Sequence, residues 1–217
     1  MYMLNLDKPS DDNIGKYRLV FHSSLEDGRR GTTILVIKNL SIIFSETSIP
    51  DTVLLVLQIA KATVILAGTY FSQRINDKPQ KLILILETLY KLVERYNNPL
   101  VLLFGDLNMN ELSVRRILER SCHLTAHLKL RIVDNYISPS GFPLLATRRG
   151  TNKLNTPIFS RLDYILTNGD CIISTEFVEN LSDHIFFNLH LNLRQSSVRG
   201  VLSTDRNQIN REKFPLL

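Results

Sequence analysis

Three stretches of this sequence place acids where an apolar run stops or starts. In LLFGDLNMN, residues 102–110, the run ends at Gly105 and Asp106 and Asn108 follow. SRLDYILTN, residues 160–168, sets Asp163 among apolar neighbours, and LSDHIFFNLHL, residues 181–191, puts Asp183 and His184 just ahead of another apolar run. A carboxylate and an amide carbonyl are hard oxygen ligands, suited to Mg²⁺ or to orienting a phosphate and a water. Side chains alternate along a strand, so positions 106 and 108 are expected on one side of it. An Asp inside an apolar strand is costly to bury unless paired or bound to a cation. A His beside an Asp adds a group that titrates near neutrality. The pair at 106 and 108 fits a helix N-cap equally well, and that stretch alone does not choose.

Such strand ends need strands behind them. YRLVF at 17–21 and TTILVI at 32–37 are β-branched or aromatic runs, with DGRRG between them as turn chemistry. Runs at 52–59 and 62–69 predict a hairpin turning near Lys61. From Lys78 to Tyr96 the period changes. Leu82, Ile85, Leu86, Leu89, Leu92, Val93 and Tyr96 recur every three or four residues, which predicts a helix with Pro79 in its first turn. Residues 99–104 then read as a strand buried on both faces. A second helix is expected over about 110–122, with Leu112, Ile117 and Leu118 inward and Arg115, Arg116, Glu119 and Arg120 outward. Strand-like segments follow at 143–148, 160–167, 171–178 and 184–192. Many short strands with two helices predict an α+β fold of mostly antiparallel sheets packed on each other, not a parallel βαβ series.

Composition narrows the partner. The chain has 217 residues, enough for one substantial core, and a net charge of +5 with pI near 9.3, which favours a polyanion. Cys122 and Cys171 lack zinc-site spacing and read as buried thiols of a reducing compartment. No signal peptide is visible at the start, and the apolar stretch 52–68, broken by Gln58 and Lys61, is too short and polar to span a bilayer. The expectation is an intracellular protein, nuclear or cytoplasmic, neither secreted nor membrane-bound.

The ordered set G-D-x-N, S-R-L-D-Y-I and S-D-H resembles the endonuclease/exonuclease/phosphatase superfamily, most closely the endonuclease domains of non-LTR retrotransposons. RRGTTILVIKN at 29–39 is similar to the "G-G-v-a-i-L-v" strand of that branch. VILAGTYFSQ at 64–73 is similar to its "l-x-N-v-Y-a-P" segment, placing Tyr70 at the active-site tyrosine. LATRRG at 145–150 is similar to "P-T-r", placing Thr147 at the matching position. The resemblance covers roughly residues 15–192, with 1–14 as a polar N-terminal segment and 193–217 as a tail or linker. It implies a DNase I-like four-layer sandwich, two sheets flanked by helices, performing Mg²⁺- or Mn²⁺-assisted phosphodiester hydrolysis on DNA, with RNA as the other polyanion. It also implies a reverse transcriptase domain in a longer parent polypeptide. By the same resemblance Asp106 orients or activates the attacking water and Asn108 positions the phosphate. His184 binds a phosphate oxygen and is held by Asp163, Asp183 is a metal-side acid, and Tyr70 and Thr147 contact the phosphate. Arg148 and Arg149 are candidates for tracking a nucleic-acid backbone.

One departure matters. The superfamily begins with an Asn-bearing strand, "l-N-i-x-g", and a "Q-E-t" segment whose Glu is the principal metal ligand. MYMLNLDKPSDD carries no Q-E-T and no Glu, and the GTTILVI strand starts too early for both elements. The expectation is an N-terminally truncated copy lacking those strands, with an unpaired sheet edge, weakened or lost metal binding, and little or no nuclease activity. The alternatives are a phosphatase of the same superfamily, a non-catalytic nucleic-acid-binding remnant of the fold, and a product with no stable function.

Overall fold

The computed structural model describes residues 13–23, 31–73, 76–177 and 182–191. In chain order the strands and helices are β1 (Asn13–Ile14), β2 (Tyr17–Ser23), β3 (Gly31–Ile37), β4 (Ser41–Glu46), β5 (Thr52–Ile59), β6 (Ala62–Tyr70), α1 (Lys78–Arg95), β7 (Leu100–Asp106), α2 (Glu111–Arg120), α3 (Cys122–Leu128), β8 (Arg131–Ile132), β9 (Arg148–Thr151), β10 (Pro157–Ser160), β11 (Asp163–Thr167), β12 (Cys171–Glu176) and β13 (Phe186–Leu191). The tail at 193–217 and most of the 1–14 segment lie outside the described residues.

A six-stranded sheet in the order β4-β5-β6-β7-β11-β8 is the backbone of the fold. The hairpin expected at 52–69 forms as β5 and β6, turning at Ala60 in a left-handed conformation. The β6–α1–β7 unit is the one parallel pairing among the described strands; every other pairing is antiparallel. Strand β7 reads as a continuous apolar run because it is covered on both sides. Val101 and Leu103 meet the helices, packing in one core with Leu82, Ile85, Leu86 and Leu89 of α1, Val114 and Ile117 of α2, and Leu124 and Leu128 of α3. On the opposite face, Ile34 and Val36 of β3 pack on Val53, Leu55, Leu57, Val64 and Leu100. Beside them Ile173 and Ile185 cover Leu102 and Ile165. The second layer of strands consists of β1-β2-β3 and β12-β13, and among the described residues no strand joins these two pieces.

Several expectations are corrected. There is a third helix, α3, whose Leu124 and Leu128 are spaced one turn apart on its buried side. Leu112 does not point inward but is 57% exposed; Val114 and Ile117, three apart, set the buried face of α2 instead. Residues 143–147 are not a strand: the chain turns there, with Leu145 at φ 63°, and pairing begins only at Arg148. The edge strands β4 and β8 carried no clear periodic signal. Cys122 is exposed, not buried. No helix among the described residues is long and apolar enough to cross a membrane.

Candidate active site

The tip of β7 is shaped by Gly105. Its φ is +145°, and a Cβ built there would lie 1.8 Å from the Thr69 carbonyl oxygen, so only glycine lets β7 approach β6 this closely. The parallel register then sets Tyr70, half-buried at the end of β6, opposite Asp106. Past the strand, the Leu107 N–H donates to the Leu162 carbonyl at 2.9 Å. Asn108 turns left-handed, at φ 45°. Its backbone N–H donates to Asp106 Oδ1 at 2.8 Å, and its Nδ2 donates to Asp106 Oδ2 at 2.9 Å and to the Phe71 carbonyl at 2.7 Å. Asp106 and Asn108 therefore meet through an Asx turn, not through strand alternation as expected. Neither caps α2. That role falls to Asn110, whose side chain accepts from the Ser113 N–H at 2.8 Å.

Asp163 opens β11 directly across from Asp106 in the antiparallel register. Thr147 fixes its backbone: the Thr147 hydroxyl accepts from the N–H groups of Leu162 (3.0 Å) and Asp163 (3.1 Å). Thr147 is 0% exposed and braces the start of β11 through these two bonds. Removing that oxygen would strand two part-buried backbone donors. Thr147→Val is expected to cost about 2 kcal/mol in urea unfolding, whereas a loss within 0.5 kcal/mol, roughly the scatter of neutral substitutions, would contradict this role.

His184 arrives from the other sheet layer, anchored by its N–H on Ser182 Oγ at 3.0 Å and by a bridge to Arg148. Its Nδ1 lies 2.7 Å from Asp163 Oδ2. With Asp163 ionised the ring donates from Nδ1, which leaves Nε2 for a ligand. Ligand atoms of Asp106, Asp163 and His184 all fall within 4.8 Å of one another. Asp183, the metal-side acid of the resemblance, lies outside this group. It is half-exposed, and its Oδ2 accepts from Arg148 Nε at 2.7 Å, while its Oδ1 is 3.9 Å from His184 Nε2.

Burial, with the charge of Asp163 second, pushes the Asp106 carboxyl up to about 6. The hydrogen bond that His184 donates to Asp163 raises His184 against the opposing effect of burial. At Asp183 burial is outweighed by the Arg148 hydrogen bond and the nearby His184 and Arg148 charges, which hold it below its usual range. Asp106 binds its proton more tightly folded than unfolded, so its contribution is lost as pH rises from about 4 through about 6. Asp106→Asn is expected to stabilise the protein at pH 8 by about 1–2 kcal/mol, net of one lost hydrogen bond, with little gain at pH 4. Urea unfolding at both values checks this; destabilisation at pH 8 would contradict it.

Sequence reading missed the pairing of Arg161 with Glu111 and Asp134, because these partners lie far away along the chain. It also missed Lys78, whose Nζ donates to the Asn108 carbonyl at 2.9 Å, and Lys81, which donates to the Tyr70 carbonyl at 3.1 Å.

No known family's sequence profile and no curated protein matches the chain. Solved structures do. The endonuclease domain of TRAS1, a telomere-specific non-LTR retrotransposon, is 15% identical with a TM-score of 0.58, over 83% of this chain and 82% of that one. D. rerio TDP2 complexed with single-strand DNA product is 15% identical at 0.55, over 81% and 77%. A mannosyl-6-phosphatase of Bacteroides thetaiotaomicron is 15% identical at 0.56, over 82% and 77%. The chain thus has the DNase I-like α+β fold of the endonuclease/exonuclease/phosphatase proteins, a fold that carries both nucleases and phosphatases.

Proposed function

We propose that this chain carries a metal-dependent phosphodiester hydrolase site that nicks DNA. The observation that carries the reading is the meeting of Asp106, Asp163 and His184 at one rim of this fold. The donors fit a hard divalent cation, Mg²⁺ or Mn²⁺. Burial first and the neighbouring Asp163 charge second raise Asp106, and a cation between the two carboxylates would relieve their repulsion. Asp106 and Asp163 would hold it, and when bound it supplies charge neutralisation and an activated water.

The chain's own groups then divide the work. Asp106, fixed by two Asn108 donors, orients the attacking water, and Asn108 positions the phosphate. His184 offers Nε2 to a phosphate oxygen while Asp163 holds the ring at Nδ1. Tyr70 adds a phosphate contact from the end of β6. Arg148, only a third exposed, exchanges Asp183 for the substrate's phosphate. The net charge of +5 favours a nucleic-acid strand over a small acidic metabolite, and the TRAS1 domain and the DNA-bound TDP2 support DNA.

Among the described residues the site offers two carboxylates, a low-charge set for Mg²⁺ that gives weak binding and slow nicking. The test is relaxation of supercoiled plasmid across Mg²⁺ and Mn²⁺ concentrations, with Asp106→Ala as control. Slow, metal-dependent nicking absent from the control is expected. Salt-sensitive DNA binding without cleavage at any metal concentration would replace this reading with a non-catalytic binding module. Hydrolysis of sugar or inositol phosphates without nicking would replace it with a phosphatase.

A further inference from the structure

We infer that Arg161 is a positioning residue: its buried guanidinium, paired with Glu111 and Asp134, ties the segment that follows Asp106 to the segment that leads into Asp163. The inference rests on the hydrolase reading for its consequence, not for its geometry. The Arg161 side chain is 7% exposed. Its Nη1 donates to Glu111 Oε2 at 3.0 Å, and its Nη2 donates to Asp134 Oδ1 at 2.6 Å and to the Val133 carbonyl at 3.3 Å. Arg115 closes the ring, with Nη2 on Asp134 Oδ2 at 2.8 Å and Nε on Glu111 Oε1 at 2.7 Å.

The ring's members sit where they matter. Glu111 is the first residue of α2, directly after the loop of Asp106 and Asn108, and Arg161 stands two residues before Asp163. The Arg161 guanidinium also lies 5.0 Å from the centre of the Tyr164 ring. The Tyr164 hydroxyl is 3.0 Å from the Met109 carbonyl and 3.2 Å from that of Arg161, one more tie between the same two loops. Together with the Leu107–Leu162 hydrogen bond, these contacts grip both loops from behind the site.

Asp106 and Asp163 face each other at the very end of the β7–β11 ladder, where their charges repel. A site that must hold two like charges ready for a cation needs a rigid support, which Arg161 gives through both Nη atoms while its buried Nε makes no hydrogen bond among the described residues. Arg suits this because its planar fork meets two carboxylates and a carbonyl at once, which a lysine ammonium on a single flexible stem cannot do in the same geometry.

The test compares Arg161→Met and Arg161→Lys with Arg115→Met, which leaves all of Arg161's partners in place. Thermal unfolding, the ¹⁵N-detected Nδ1–H resonance of His184, and Mn²⁺ titration are measured on each full chain. Arg161→Met is expected to lose the downfield His184 resonance and to bind Mn²⁺ roughly tenfold more weakly, the scale set by supporting residues of metal sites. Arg115→Met is expected to change neither by more than about twofold, since its pairs are solvent-screened. If Arg161→Met fails to unfold cooperatively, Arg161→Lys decides, with an intermediate shift of both readouts expected. Wild-type His184 resonance and Mn²⁺ affinity in the folded variant would overturn the inference. Should the wild-type chain bind no Mn²⁺, the hydrolase reading falls by itself, and the His184 resonance still decides the role of Arg161.

Discussion

Gly105→Ala is expected to destabilise the protein by more than about 3 kcal/mol, beyond what most single substitutions cost, and to abolish any metal-dependent nicking. The reason is geometric. At φ +145° an L-residue is strained whatever its surroundings, and here the added methyl would stand 1.8 Å from the backbone oxygen of Thr69. A flexible side chain could give way; a backbone carbonyl held in the β6–β7 ladder cannot without breaking the Thr69–Gly105 and Tyr70–Asp106 register. The damage falls on the residue before Asp106, so stability and chemistry fail together. Urea unfolding measures the first and plasmid nicking the second. A variant with near-native stability and activity would show that β7 does not approach β6 as described.

Asp163→Asn is expected to lower nicking by about a hundredfold, while the chain still unfolds cooperatively. Asn keeps the size of the side chain but removes the charge that fixes the His184 tautomer at 2.7 Å. It also removes one of the two carboxylates that the described residues offer a cation. The same change should move His184 back down toward its ordinary titration range, because the Asp163 hydrogen bond is the leading cause of its rise. Stability linked to that raised His184 is present below the unfolded value near 6.5 and is lost as pH climbs through the folded one, so Asp163→Asn should flatten stability across this range. A histidine titration by NMR reads the first effect directly. A His184 titration unchanged in the variant would mean the pair is not coupled as drawn.

Much of this molecule was legible because local signals and tertiary needs agreed. The β5–β6 hairpin and α1 announced themselves by period and turn chemistry, and the unbroken apolar run of β7 matched a strand covered on both sides. The acids at 106 and 163 could be ordered along the chain from sequence, yet their pairing across a gap of more than fifty residues is a register, which no local pattern encodes. Asn108 was named but its geometry was not, because its left-handed turn replaces alternation at the strand end, and Leu112 was misplaced because an apolar residue in the first turn of a short helix need not face the core. The Arg148–Asp183 pair and the four-charge ring around Arg161 join residues distant in sequence, and charged residues read locally as solvated faces. The short edge strands β4 and β8 alternate too briefly to stand out.

The most direct measurement is Mn²⁺ binding followed by electron paramagnetic resonance on the full chain, in wild type and in the Asp106→Asn/Asp163→Asn double variant. One weak Mn²⁺ site, displaced by Mg²⁺ and absent from the double variant, is the result this account predicts. Equal Mn²⁺ binding by both proteins would mean that the two carboxylates beside His184 do not form a cation site.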